Sequence, residues 1–270
     1  MKRVVDRSKD FFKYFLTHWK LIFELGKNDF KKRTAGSYFG IVWAFIQPMT
    51  TICLMWAVFS VGFRTPPVEG VPFIVWLASG ITPWFFFSEA LVNSSNSLVE
   101  YSFMLKQMSF RGSVLPIIKI ISSSFIHFFL VGLLVLIAIV SGIKVNWYFL
   151  QIIYYYGCML YLLLGLGWIF SSLRPFMSDV TEIIGVIVQL GFWYTPIIWD
   201  VSLVPLKFQF IFKINPMYYI VQGYRDSMIY NVGVWHRPKA TMVFFIISTI
   251  IMIIGVISFK KLRPHFNDVL

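Results

Sequence analysis

The chain has 270 residues, of which 58% are hydrophobic, 19% aromatic and only 13% charged, and its formal net charge is +12. Because about a quarter of the residues in a soluble domain are charged, this composition excludes an ordinary soluble fold. The apolar residues come in long blocks rather than in alternation, which favours membrane-spanning helices over the strands of a β-barrel. Basic residues that flank membrane spans explain the positive charge better than binding to nucleic acid does. We therefore expect an all-α polytopic membrane protein.

Residues 1–34 contain a predicted amphipathic helix over residues 10–31. Apolar residues recur in it at steps of three and four, and a stripe rich in lysine lies opposite. Such a helix is suited to lie in the headgroup layer of a membrane, whereas an ordinary helix packed on a soluble domain is the less favoured alternative. The apolar stripe consists of Phe11, Phe12, Phe15, Leu16, Trp19, Ile22, Phe23 and Phe30, and the opposing stripe of Lys13, Thr17, Lys20, Glu24, Lys27 and Lys31.

Residues 35–270 make up the predicted transmembrane domain. Six apolar stretches in it are long enough to cross a bilayer as helices. Seventeen Lys and Arg residues flank the spans on the side of the N-terminus, against seven on the other side. This asymmetry predicts that both termini lie in the cytoplasm, which requires an even number of crossings. The predicted spans are 36–62, 71–97, 113–141, 147–172, 180–199 and 241–259.

The stretch from 200 to 239 does not fit a seventh crossing. A crossing would move the basic tail to the outer side, and Lys213 near the middle of the bilayer would cost roughly 2.5–3.5 kcal/mol. The stretch is also too apolar to float in solvent, and non-helical backbone at membrane depth needs cover from protein or a water-filled cavity. We therefore predict a re-entrant helical hairpin between spans 5 and 6. Its break is expected at Asn215-Pro216, because proline lacks an N–H and asparagine favours turns.

Glu89 is the one acid that lies more than a helical turn inside the ends of a predicted span. An intramembrane acid is a functional candidate by default. It lies 17 residues beyond Pro72, which is roughly 25 Å along a helix and therefore near the cytoplasmic interface. A solvated or paired interfacial glutamate is favoured over an ion-coupling site.

The link at 98–112 is a short cytoplasmic connection that mixes aromatic and charged residues. Exposed aromatic residues in a loop suggest docking to another protein, although an inert loop is the alternative. A second aromatic group, on the predicted outer side, is suited to stack on sugar rings, and a belt at the lipid interface explains it equally well. This outer group consists of Trp193, Tyr194, Trp199, Tyr218, Tyr219, Tyr224 and Trp235.

The sequence contains no signature of soluble catalysis. Gly26-Lys27 is followed by Asn28, so it does not form a phosphate-binding P-loop. The histidines and the cysteines, Cys53 and Cys158, do not have the spacing of metal ligands. We therefore predict that the chain is not an enzyme and holds no metal or cofactor, and that its energy comes from a partner or a gradient.

Six short motifs follow one another along the chain: "RTAGSYFGIVWAFIQP" (33–48), "GVPFIVWLASGITPWFFFSEAL" (70–91), "SFRGSVLP" (109–116), "RPFMSDV" (174–180), "YTPIIW" (194–199) and "NPMYYIVQGYRD" (215–226). Together they resemble motifs of permeases in the ABC-2 polysaccharide and polyol-phosphate export family. In "SFRGSVLP" the family usually has Phe-Pro, whereas this chain has Phe110-Arg111. Each motif alone is weak, but together they cover nearly the whole chain.

The resemblance implies a homodimer of permeases that works with two copies of a separate ATPase subunit, on which ATP and Mg²⁺ are bound. It implies an interface helix before the first span, a coupling helix at 98–112 and re-entrant gate helices at 200–239. The expected cargo is a glycan or polyol phosphate on an undecaprenyl pyrophosphate carrier, such as O-antigen, capsule or teichoic acid. The expected location is the bacterial cytoplasmic membrane, among membrane lipids.

Three groups of site residues follow from combining the resemblance with the residue chemistry. The ATPase-coupling group is Glu100, Tyr101, Phe103, Met104, Lys106, Phe110 and Arg111. The group expected to attract the pyrophosphate of the lipid carrier is Lys27, Lys31, Lys32 and Arg33. The pore and gate group is Trp43, Trp193, Tyr194, Asn215, Pro216, Tyr218, Tyr219, Tyr224 and Arg225. The alternatives are an ABC-2 permease for a drug or small lipid, or a membrane-embedded transferase, which would need a buried histidine or acid constellation.

Overall fold

The computed structural model describes most of the chain, and all of the regular secondary structure in the described part is helical. Residues outside it include Phe110 and the first part of the predicted N-terminal helix. The described ranges are 14–33, 39–67, 70–107 and 111–270, with backbone only at Lys106, Gln107 and Asn267.

Eleven α-helices in the described residues are numbered here in chain order, and short 3-10 and π-helical turns connect or extend them. They are α1 (Trp19–Arg33), α2 (Val42–Trp56), α3 (Phe73–Glu100), α4 (Ser102–Gln107), α5 (Leu115–Val140), α6 (Gln151–Leu173), α7 (Val180–Tyr194), α8 (Gln209–Lys213), α9 (Pro216–Arg225), α10 (Pro238–Leu262) and α11 (Phe266–Val269).

The amphipathic helix predicted near the N-terminus is α1, which follows one helical turn at residues 14–17. The helix is therefore confirmed over its described part. Ile22 is fully buried, whereas Lys20 and Lys27 are exposed. Gly26 allows α1 to approach α5 closely, because a Cβ atom at this position would lie 2.7 Å from Cγ2 of Ile121.

Five helical stretches in the described residues are long and apolar enough to cross a membrane, and α2, α3, α5, α6 and α10 form their main parts. A π-helix over Ala57–Gly62 extends α2. The predicted fifth span is the shorter apolar helix α7, with 15 residues against the roughly 20 that a full crossing needs. It ends at Tyr194, before the predicted limit of 199, because Thr195 is extended and precedes Pro196. The topology with six spans therefore stays a prediction.

Helix α3 forms the centre of the bundle. It packs against α5, α6, α7 and α9, and α10 packs against α6. Trp76 and Leu77 on α3 are both buried. The backbones of α6 and α10 approach most closely at Gly165 and Gly255, where a Cβ atom on Gly255 would lie 2.4 Å from the carbonyl oxygen of Gly165. Small residues are typical of such close helix crossings in membranes.

A smaller apolar cluster joins α1 to the neighbouring ends of the long helices. It contains Ile22 of α1, Leu98 of α3, Ile118 of α5 and Phe259 of α10. This end of the bundle, where α3 ends and α5 begins, is called the α1 end below. The other end, where residues 195–237 lie, is called the opposite end.

The segment between α7 and α10 contains the short helices α8 and α9, followed by a π-helix over Asp226–Tyr230. The predicted break at Asn215-Pro216 is confirmed. Asn215 is the N-cap of α9 and accepts a hydrogen bond from the backbone N–H of Met217 at 2.9 Å. Pro216 occupies the first helical position, where its missing N–H costs nothing. Helix α9 packs against α3 and α6, so the segment is part of the chain's core rather than a free loop.

Candidate functional site

A cluster of charged residues joins α1, α3 and α5 at the α1 end. Asp29 of α1 is 3% exposed, and its Oδ1 atom accepts hydrogen bonds from Lys119 Nζ and from Tyr101 Oη, each at 2.6 Å. Lys119 also donates to Glu100 Oε2. These four residues are called the junction below. Charges buried in this way are tolerated only with well-placed partners, and here each buried charge has one.

The protonation of the junction follows from its hydrogen bonds. Burial by itself raises the pKa of Asp29, but the hydrogen bonds from Lys119 and Tyr101 outweigh burial and hold this pKa below its ordinary value. Burial, together with the hydrogen bond to Asp29, raises the pKa of Tyr101. Asp29 is therefore a carboxylate at neutral pH and Tyr101 is a neutral donor to it.

Arg33 connects the junction to Glu89 in the middle part of α3. Its Nη1 atom lies 2.6 Å from Glu89 Oε1, and its Nε atom lies 3.8 Å from Asp29 Oδ2. Asn93 Nδ2 donates to Ser123 Oγ at 3.1 Å, beside the Glu89 carboxylate. Glu89 is thus paired with Arg33, as one part of the interpretation from the sequence had it, and its position at the membrane interface stays a prediction.

A polar groove of about 640 Å³ opens beside the pair of Arg33 and Glu89, between α1, α2, α3 and α7. Trp43, a predicted pore residue, is 49% exposed on its wall. Polar side chains in membrane-spanning helices are expensive unless they face protein or a water-filled space. The polar side chains that line the groove are those of Arg33, Gln47, Thr51, Ser88, Glu89 and Asn93.

The predicted coupling residues lie in several different environments. Glu100 and Tyr101 belong to the junction, and Tyr101 is buried. Phe103 on α4 is 52% exposed. Met104 is partly buried against the apolar cluster of the α1 end. The guanidinium of Arg111 lies 4.8 Å above the ring of Tyr14. Phe110 and the side chain of Lys106 lie outside the described residues.

The residues predicted to attract the lipid carrier also separate. Lys27, Lys31 and Lys32 are exposed along α1. Arg33 is instead turned inward, to the polar groove and Glu89. The structure therefore places three lysines on the surface of α1 and one arginine at the mouth of the groove.

At the opposite end, predicted gate residues tie the end of α7 to the segment that follows it. Trp193 and Tyr194 are exposed, and Tyr194 donates a hydrogen bond to the backbone oxygen of Ile211. Asn215 Nδ2 donates to Thr195 Oγ1 at 2.8 Å. Pro216 and Tyr218 are partly buried. The hydroxyl of Tyr219, itself buried, lies 2.9 Å from Thr241 Oγ1 and 3.1 Å from the hydroxyl of Tyr154.

The last two predicted gate residues, Tyr224 and Arg225, lie in the chain's interior. Tyr224 is fully buried, with its hydroxyl 2.9 Å from His127 Nε2. The Arg225 guanidinium stacks on the Trp76 ring at 3.6 Å and donates to two backbone oxygens of the segment after α7, at 2.8 and 2.6 Å. Gly80 leaves room for this arrangement. A pore role for either residue stays a prediction.

Comparison with known proteins decides the family. The family model described as "ABC-2 type transporter" matches residues 20–229. The chain belongs to this family. It is 24% identical over 252 residues to an O-antigen export system permease protein RfbA of Klebsiella pneumoniae, covering 93% of this chain and 95% of that protein. It is 21% identical over 253 residues to the RfbA permease of Myxococcus xanthus, covering 92% and 94%.

These similarities confirm the resemblance described from the sequence motifs, and this ABC-2 permease is a multi-pass membrane protein. Three of its buried functional candidates were missed from the sequence: Asp29, Lys119 and Trp76. For two of them a signal existed, because Asp29 interrupts the buried face of α1 and Lys119 is a cation inside a predicted span. For Trp76 the sequence contained no signal, because the residues next to it in the chain do not indicate that Arg225 stacks on its ring.

Proposed function

We propose that this permease is the transmembrane subunit of a transporter that exports undecaprenyl-linked polysaccharide of the O-antigen type across the bacterial cytoplasmic membrane, driven by a separate ATPase subunit. The similarity to O-antigen export permeases over 92–93% of the chain carries this proposal. Capsule or teichoic acid is the alternative polymer, and a drug or small lipid is the alternative cargo. A separate subunit that binds ATP and Mg²⁺ is proposed because the chain has no P-loop signature.

We propose a homodimer with its pore between the two copies. Support comes from the exposed sides of α2 and α7, which carry large apolar residues that the chain itself leaves uncovered. The polar groove lies between these two helices and would open toward the second copy. On α2 and its extension the exposed residues include Leu54, Val58 and Val61, and on α7 they include Ile183, Val186, Ile187 and Leu190.

We propose that residues 200–239 form a re-entrant gate and that both termini lie in the cytoplasm. Tyr224, near the end of α9, reaches His127 about halfway along α5, so the segment extends well into the bundle. Hydrogen bonds from Arg237, the N-cap of α10, to Asp226 connect the segment to the start of α10. Trp193, Tyr194 and Tyr218, which keep exposed surface, are the aromatic residues proposed to contact sugar units.

At the α1 end, exposed Phe103 supports α4 as the contact for the ATPase. The exposed lysines of α1 are suited to attract a pyrophosphate at the membrane surface. Once the pyrophosphate is held there, the groove beside Trp43 would receive the first sugar units.

The proposed function is tested by surface polymer in cells that carry this permease with its cognate ATPase. We expect surface polymer to be lost, and carrier-linked polymer to accumulate inside, both when the permease is deleted and when the ATPase is made inactive. Restoring the permease should reverse both effects. Undiminished export after deletion, with no paralogue present, would contradict the proposal. A changed drug sensitivity with normal surface polymer would favour the alternative cargo.

A further inference from the structure

Lys119 stands apart from the other lysines of the chain. Of the lysines whose side chains the structure describes, it alone is buried, with 2% of its surface exposed. Its single ammonium group contacts carboxylates from two different elements, Asp29 on α1 at 2.6 Å and Glu100 at the end of α3. It also lies 5.1 Å from the centre of the Tyr101 ring. One charged group therefore links α1, α5 and the start of residues 98–112, which are called the coupling segment below.

The packing around Lys119 leaves α1 little freedom to move separately. Beside the hydrogen bond from Lys119 of α5, Asp29 accepts a second one from Tyr101 of the coupling segment. Gly26 brings the backbone of α1 against Ile118 and Ile121 of α5. A tight helix contact resists separation, but it does not by itself fix how far a helix slides or turns. The buried ion pair does oppose such a movement, because sliding or turning α1 would separate Asp29 from Lys119 and leave uncompensated buried charges.

We propose that Lys119 is a positioning residue that locks α1 to the coupling segment, so that both move as one unit when the ATPase displaces the coupling segment. This inference rests on the proposed function. The lysines of α1 would then shift together with Phe103, and the mouth of the polar groove, where Arg33 lies, would change shape in the same step. Lys119 acts through these neighbours and does not itself contact the transported polymer.

The chemistry of lysine suits this role. An ammonium group carries three N–H donors and no acceptor, so it can hold two carboxylates at once. Methionine has similar length and would fill the same space without either bond. In the Lys119→Met variant, Asp29 would keep only Tyr101 as a close donor, whereas Glu100, whose side chain is 50% exposed, would turn to solvent.

A distance measurement on the purified permease tests the lock without any transport. Spin labels are attached at Lys20→Cys on α1 and Phe103→Cys on α4, both exposed, after Cys53 and Cys158 have been replaced. We expect a narrow distribution of label distances in the parent and a clearly broader one with Lys119→Met. Lys144→Met, the same change at an exposed loop lysine, should keep the narrow distribution. A distribution that stays narrow with Lys119→Met would overturn the proposal.

A second measurement separates positioning from a merely structural role. Replacing both members of a buried ion pair by apolar residues removes the penalty of an unpaired charge. The double variant Asp29→Leu with Lys119→Met should therefore recover the folded yield that Lys119→Met alone loses. We expect the polymer exported per ATP hydrolysed to stay reduced by about five-fold or more in both variants, the scale of a typical coupling between sites.

If both the folded yield and the polymer exported per ATP hydrolysed recover in the double variant, Lys119 has only a structural role and the proposal is overturned. The two failures are distinguishable. If the parent complex does not export polymer with ATP, the proposed function fails, while the label distances still report whether Lys119 locks the two elements.

Discussion

Helices α2 and α3 are both apolar enough to cross a membrane, yet they have opposite surroundings. In the most apolar part of α3, 78% of the residues are buried inside the chain, against 6% of the residues in the corresponding part of α2 with its extension. The mean hydropathy is 1.3 for α3 and 1.6 for α2 with its extension, so α2 would be the more buried helix if apolar character decided burial. In a membrane, apolar character does not decide burial, because lipid is as apolar as a protein interior. What places α3 at the centre is its small and polar residues, which let neighbouring helices approach and hydrogen-bond.

The largest expected effect comes from filling a close contact between α3 and the segment after α7. A Cβ atom on Gly80 would lie 2.9 Å from the Arg225 guanidinium and 3.1 Å from the backbone oxygen of Ile197. We expect Gly80→Leu to lower the free energy of unfolding by upwards of about 3 kcal/mol, seen as loss of folded protein after purification. Gly62→Leu, at the end of the α2 extension where nothing lies nearby, should leave the yield unchanged. Equal losses in both variants would remove the contrast between the helices.

A matched pair of leucines measures the same contrast by removing contacts. Leu77 on α3 is fully buried, and Leu54 on α2 is 61% exposed. We expect Leu77→Ala to lower the free energy of unfolding by about 2–3 kcal/mol and Leu54→Ala by less than about 0.5 kcal/mol, in reversible unfolding of the monomer in detergent. If a second copy covers α2, Leu54→Ala should instead lower the fraction of dimer. A large loss of monomer stability with Leu54→Ala would contradict the packing described here.

An arginine pair sharpens the comparison at the opposite end. Arg225 stacks on Trp76 of α3 and holds two backbone oxygens after α7, whereas Arg64 beyond the α2 extension is exposed. We expect Arg225→Met to cost about 2 kcal/mol, because both carbonyls lose a charged donor but the burial of a charge is also relieved. Arg64→Met should cost less than about 0.5 kcal/mol. Thermal unfolding in nanodiscs compares the two, and similar midpoints would contradict the prediction.

The smallest expected effect is on how the free energy of unfolding depends on pH through Asp29, which lies beside the end of α3. The pKa of Asp29 is lower in the folded protein than its ordinary value, which is about 3.9 when unfolded. The stabilisation from Asp29 is therefore complete above that value and is lost as pH falls through the folded pKa. We expect no contribution from Asp29 to the change in stability between pH 8 and 5, and a loss only below about 4. Asp29→Asn should lack that low-pH loss, and an equal loss in this variant would assign it to other groups.

Features with a local cause were predictable in principle, although one of them was missed, whereas features made by distant contacts were not predictable. The start of α9 was predictable because Asn215 caps and Pro216 begins the helix through their own backbone chemistry. The early end of α7 was missed, although the same rule applied at Thr195-Pro196. Tyr224 and Arg225 were assigned to the pore and gate group from the resemblance, and that role stays a prediction. Their buried partners, His127 and Trp76, could not be predicted because they are far away in the sequence.

Patterns along the sequence were enough to predict a helical membrane protein that resembles ABC-2 permeases, with an amphipathic helix near the N-terminus and a helix break at Asn215-Pro216. Hydropathy, charge bias and capping are properties of neighbouring residues, so they can be read along the chain. The three-dimensional packing was needed to show that α3 is the central helix and α2 an exposed one, and that Lys119 joins α1 to the coupling segment. Lipid and protein interior are alike to an apolar side chain, and the partner of a buried charge is chosen by packing rather than by proximity in sequence.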